Sequence, residues 1–70
     1  MNTAQINPLE MYKQLNTQEA ASFLGVTPRH MEQLRQRKEG PQFIKMSPRC
    51  VRYRVQDLIN FQESRIRSAT

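Results

Sequence analysis

One cysteine, one histidine and two glycines are all that this chain of 70 residues holds of those types, and each scarcity closes off a class of function. Cys50 has no second cysteine for an intramolecular disulfide, which makes a reducing compartment, the cytoplasm, the expected setting. His30 stands without a Cys or carboxylate cluster at metal-ligand spacing, so no zinc or other metal site is expected. Cys50 lacks the activating base set that a thiol nucleophile needs, and an exposed turn thiol is the expectation for it. No Gly-rich loop is present to cradle a phosphate, and no apolar run approaches a membrane span or the core of a signal peptide. Repeats and low-complexity segments are also missing. Together these absences predict no enzyme activity, no cofactor and no membrane partner. The length predicts one domain with a small core.

What is present is positive charge. Eleven Lys/Arg face six Asp/Glu for a net +5, and the pI is near 10.2, which points to a polyanionic partner. The excess is confined to residues 29–54: Arg29, Arg35, Arg37, Lys38, Lys45, Arg49, Arg52 and Arg54 face only Glu32 and Glu39 there. The flanks are close to balance, with Lys13 against Glu10 and Glu19 before the block, and Arg65 and Arg67 against Asp57 and Glu63 after it. A merely solvated surface also carries charge runs of this kind.

Local signals divide the chain into an N-terminal arm, 1–14, a domain, 15–67, and a frayed tail, 68–70. In the arm, Asn7-Pro8-x-Glu10 predicts a short helical turn with Pro8 at its first position. Thr17 is the expected N-cap of a first helix, with Glu19 in its first turn and Gly25 in the left-handed position after its last. Thr27-Pro28 restarts a helix at once, predicted to run from Pro28 to Lys38 until Gly40-Pro41 stops it. Phe43–Met46 and Val51–Arg54 read as a β-hairpin around a Ser47-Pro48-Arg49-Cys50 turn. A third helix follows, with Asp57 in its first turn and Leu58, Ile59, Phe61 and Ile66 on its apolar side, reaching Arg67. Phe23, Phe43, Tyr53 and Phe61 are expected in the core rather than stacked on nucleic-acid bases. Glu19 and Asp57 have simpler work at helix starts than as a pair of catalytic acids.

At about 100° per residue the second helix gathers Met31, Leu34 and Lys38 in one narrow sector. Arg29, Glu32, Gln33, Gln36 and Arg37 fall opposite them. Arg and Gln are side chains that hydrogen-bond guanine and adenine edges, though an ordinary amphipathic surface helix presents the same face. The abrupt restart favours the first reading. Two helices joined by a short Gly-containing turn cross steeply, and that crossing lets the second protrude into a major groove.

Ala20-Ala21, Leu24-Gly25-Val26, Met31 and Leu34 resemble the helix-turn-helix pattern. With the Gly40-Pro41 stop, Tyr53-Arg54 closing a strand and Asp57-Leu58 opening the last helix, residues 15–65 look like the small winged helix-turn-helix proteins of the phage excisionase and AlpA-type regulator family, relatives of the MerR DNA-binding domain. Two positions depart from that pattern: the hairpin tip is Ser-Pro-Arg-Cys where Gly is frequent, and Val55 stands where a Ser or Thr cap often precedes the acid.

The resemblance implies an α+β winged helix-turn-helix: three helices, with a two-stranded hairpin wing between the second and third. It implies a phage or prophage-type transcriptional regulator at the nucleoid. Thr27, Arg29, His30 and Gln33 would meet base edges, Gln36, Arg37, Lys38 and Lys45 the DNA backbone, and Arg49, Arg52 and Arg54 would belong to the wing. The implied partners are double-stranded DNA, further copies on adjacent sites, and RNA polymerase or an integrase. A recombination directionality factor bending an attachment site needs the same helix and wing. A protein-interaction adaptor or antirepressor would instead turn this shape against an acidic protein surface.

Overall fold

Asn16, not Thr17, caps the first helix. The computed structural model describes residues 8–66, and in it α1 runs Thr17–Leu24. Asn16 Oδ1 accepts from the Glu19 N–H at 2.7 Å while Glu19 Oε1 accepts from the Asn16 N–H at 3.0 Å. This reciprocal box satisfies two donors at once and leaves the Thr17 hydroxyl for another contact. At the far end Gly25 takes φ 78° as expected. The Gly25 and Val26 N–H groups donate to the Ser22 and Ala21 carbonyls at 3.2 and 2.9 Å, closing a Schellman motif.

Helix α2, Pro28–Arg37, follows after Gly25, Val26 and Thr27. Thr27 Oγ1 accepts from the His30 N–H at 3.0 Å, and Pro28 sits where a missing donor costs nothing. The end of α2 differs from expectation. The helix stops at Arg37, and Lys38 itself takes the left-handed conformation at φ 59°. Its N–H and that of Glu39 donate to the Arg35 and Leu34 carbonyls at 3.1 and 3.0 Å, a second Schellman closure. Gly40 is therefore not the stop. Its value is space, since a Cβ there would lie 2.9 Å from Leu34 Cβ.

The hairpin forms from β2, Ile44–Ser47, and β3, Cys50–Arg54, about Pro48 and Arg49. Pairing steps from Lys45 opposite Val51 to Ser47 opposite Cys50, so Met46 is an extra residue in β2 and the wing is bulged beside its tip. Cys50 opens β3 and is half-buried rather than an exposed turn thiol. A third strand joins the expected two. Gln14–Leu15, β1, pairs antiparallel with Arg54 and Tyr53, giving the order β1-β3-β2 with β3 central. Before it, Pro8–Tyr12 forms a 3-10 turn; Asn7, its expected cap, lies outside the described residues.

Helix α3, Val55–Ser64, has no side-chain cap; its N-cap is Arg54, and Val55, expected at the cap position, is the first helical residue. The Val55 N–H donates instead to the Lys13 carbonyl at 3.1 Å. The helix ends short of Arg67, which lies outside the described residues, and Ile66 beyond it is 72% exposed rather than part of the apolar side. Leu58 is buried, while Ile59 and Phe61 are half-buried. The core gathers Ala20, Ala21, Met31, Tyr53 and Leu58, with Leu15, Leu24, Val26 and Val51 packed around them. So small a centre cannot cover all the aromatic residues. Tyr53 is buried, but Phe23 and Phe43 remain exposed over more than a third of their surface. The whole is a small α+β winged helix-turn-helix.

Candidate nucleic-acid interface

Met31 and Leu34 root α2 in the core, and that rotation decides where its polar residues stand. Arg29, Glu32 and Gln36 are exposed and Gln33 is half-buried. His30 and Arg37 stand on the flank toward α3, where with Leu24, Val26, Leu34, Glu39, Phe61, Gln62 and Arg65 they line a cleft of about 500 Å³. Arg65 closes that side, donating from Nη2 to the Glu39 carbonyl at 3.1 Å with its guanidinium 4.9 Å from the Phe61 ring centroid.

The opposite flank of α2 meets the wing. Gln36 and Lys45 share a cleft with Arg35, Phe43, Pro48 and Val51. Arg49 and Arg52 share another with Glu32, Arg35 and the first turn of α1 at Asn16, Thr17 and Gln18. Arg52 is partly committed, its Nη1 donating to the Val51 carbonyl at 2.9 Å. Lys38 is exposed in its cap position, and the Thr27 oxygen is engaged in capping α2.

A family model described as "Helix-turn-helix domain" matches residues 15–66. The chain belongs to the helix-turn-helix domain family. It is a DNA-binding protein of that fold, and the basic block at residues 29–54 lies within the matched region. No curated protein matches the chain. Among the described residues no helix is long and apolar enough to cross a membrane.

Within this helix-turn-helix domain one expected wing residue stands apart from the rest. Arg54 is at the end of β3 away from the Pro48–Arg49 turn, and it forks onto Asp57, Nε to Oδ2 at 2.8 Å and Nη2 to Oδ1 at 3.1 Å. The hydrogen bonds it donates to Asp57, and then the charge of that carboxylate, push the Arg54 pKa further up, so the guanidinium stays charged. Its work is to hold the start of α3, where an acid also favours the helix dipole.

Arg35, by contrast, was given no role by the sequence. Its Nη1 donates to Tyr53 Oη at 2.8 Å and reaches Thr17 Oγ1 at 3.5 Å, and its guanidinium carbon lies 5.8 Å from the Phe43 ring centroid. The available signal was its spacing: Arg35 follows buried Met31 by four residues, so it borders the packed stripe rather than the open face.

Proposed function

We propose that this helix-turn-helix protein is a sequence-specific duplex DNA-binding regulator of the excisionase and AlpA kind, with α2 in the major groove and the wing on the adjacent minor groove and backbone. The observation that carries the reading is the shared cleft in which Arg49 and Arg52 of the wing flank Glu32 and Arg35 of α2, putting recognition helix and wing side by side. A duplex offers matching features at that spacing, a groove floor beside a phosphate ridge. In this reading Arg29 and Gln33, with Thr27 and His30, address base edges. Gln36, Arg37, Lys38 and Lys45 address phosphates, and Arg49 and Arg52 the wing side. Its function is to occupy a site, with no catalytic step and no cofactor.

Single small modules bury limited surface on DNA and discriminate poorly within a genome. We therefore propose that several copies bind adjacent or repeated sites rather than one preformed dimer binding a palindrome, and that RNA polymerase or an integrase acts next to them. Sedimentation of the free protein, followed by footprinting on its own upstream region and on any neighbouring attachment site, tests this. A monomer that protects repeated sites, with affinity falling steeply against salt, is the expected result. A flat salt response with tight binding to a protein would instead support the adaptor reading. Strong bending of an attachment site without any effect on transcription would make the protein a directionality factor.

A further inference from the structure

The guanidinium of Arg35 touches the first turn of α1 at Thr17, the central strand at Tyr53, and Phe43 at the root of β2, while being itself anchored in the last turns of α2. Phe43 and Tyr53 also pack on each other, with ring centroids 6.0 Å apart and planes tilted by 52°. Tyr53 is 1% exposed, so its hydroxyl is sealed from solvent and Arg35 is the partner that satisfies it. A planar fork with several fixed donors, stacked beside an aromatic ring, holds its neighbours in angle as well as distance.

We propose that Arg35 is a positioning residue that sets the spacing between recognition helix and wing, and so the distance between the two DNA contacts, without itself contacting DNA. This rests on the reading that helix and wing engage one duplex. The elements joined are the ones whose relative placement matters: α1 braces α2, α2 carries the base-reading face, and the hairpin roots fix where Arg49 at the wing tip stands. Every other basic residue of α2 is exposed, whereas Arg35 is half-buried between the two wing-side clefts and belongs to both. A loosened Arg35 leaves Arg49 and the α2 face intact as side chains but lets their separation vary, which costs affinity through lost preorganisation.

The test is a double-mutant cycle on DNA affinity between Tyr53→Phe, which removes only the sealed hydroxyl, and Arg49→Ala, which removes the wing-tip contact. The expected result is coupling: Tyr53→Phe weakens binding, and Arg49→Ala costs at least about threefold less in that background than in the parent. Multiplicative losses overturn the proposal while leaving duplex binding by helix and wing in place; absence of duplex binding by the parent protein overturns the underlying reading instead. A second measurement guards against unfolding. Arg35→Lys and Arg35→Gln are compared by circular dichroism and by salt titration in the Arg49→Ala background, where a positioning role leaves the slope of log affinity against log salt unchanged. A fall in slope of about 0.9 on Arg35→Gln makes Arg35 a phosphate contact and overturns the proposal.

Discussion

Arg54 and Asp57 meet through two hydrogen bonds of 2.8 and 3.1 Å across the first turn of α3, and Asp57 is 6% exposed. Helix α3 has no side-chain cap, and the pair ties its N-cap residue to its third residue. Arg54→Ala therefore leaves a buried carboxylate without its partner and lowers Tm in a thermal melt, while changing DNA affinity of the folded protein by less than about twofold. Because the folded-state pKa of Arg54 is raised, its stabilising contribution is complete below the ordinary guanidinium range and is lost only as pH rises through a value above it. The Tm difference between parent and Arg54→Ala should thus carry no slope from Arg54 across neutral and moderately alkaline pH.

Loss of the Asn16 cap removes both bonds of the box with Glu19. Asn16→Ala is expected to destabilise the domain by about 1 kcal/mol, which at this size lowers Tm by about 4–8 °C. Thr17→Ala leaves the box in place and acts only through Arg35. If Thr17→Ala proves the more damaging of the two in denaturant titration, Asn16 is not the cap.

The two glycines fail differently on substitution. Gly25 has open space around a Cβ but a left-handed backbone at φ 78°, so Gly25→Ala costs about 1–2 kcal/mol and Gly25→Asn less. Gly40 lacks that backbone constraint but abuts Leu34, so Gly40→Ala costs about 1–3 kcal/mol by overpacking. Gly40→Asn should recover nothing. Equal recovery by Asn at both positions, read from urea midpoints, would contradict the assignment.

Base reading and backbone contact separate on a panel of sequences. Arg29→Ala and Gln33→Ala should each relax preference at particular positions by about 1–3 kcal/mol where the contact is bidentate. Arg37→Ala and Lys45→Ala should weaken all sequences alike and lower the salt slope by about 0.9 each. Uniform losses from Arg29→Ala or Gln33→Ala would move those residues to the phosphates.

The elements that the chain announces are those written in local chemistry. Gly25, Thr27 and Pro28 act on their own backbone within a few residues, and the helix break and restart fall where they stand. Residue identity was less decisive where two neighbours compete: Asn16 and Thr17 are both good caps, and Glu19 selects Asn16 by being three residues after it. The strand Gln14–Leu15 was hidden because two residues show no alternation, and its existence depends on Arg54 and Tyr53 some 40 positions away. The work of Arg35 was hidden by the 18 positions between it and Tyr53, and that of Arg54 by the strand-to-helix junction across which it meets Asp57 three residues on. A basic side chain in a basic block looks outward until the fold brings Tyr53 or Asp57 to it, and only three-dimensional placement distinguishes a fork turned inward from one facing a polyanion.

The pairing of Leu15 with Tyr53 also governs when the domain can take shape on the ribosome. Translation delivers β1, α1 and α2 early, yet the central strand and the tyrosine that receives Arg35 are made about 40 residues after β1. Until Leu58 has also emerged, the two helices have no floor to rest on, because Tyr53 and Leu58 are two of the five side chains at the centre. The nascent helix pair is thus an unfinished surface, and chain closure is a late event joining early and late segments together. A fragment that stops before Tyr53 is therefore expected to hold no stable helix pair, a loss that circular dichroism of such a fragment reads directly.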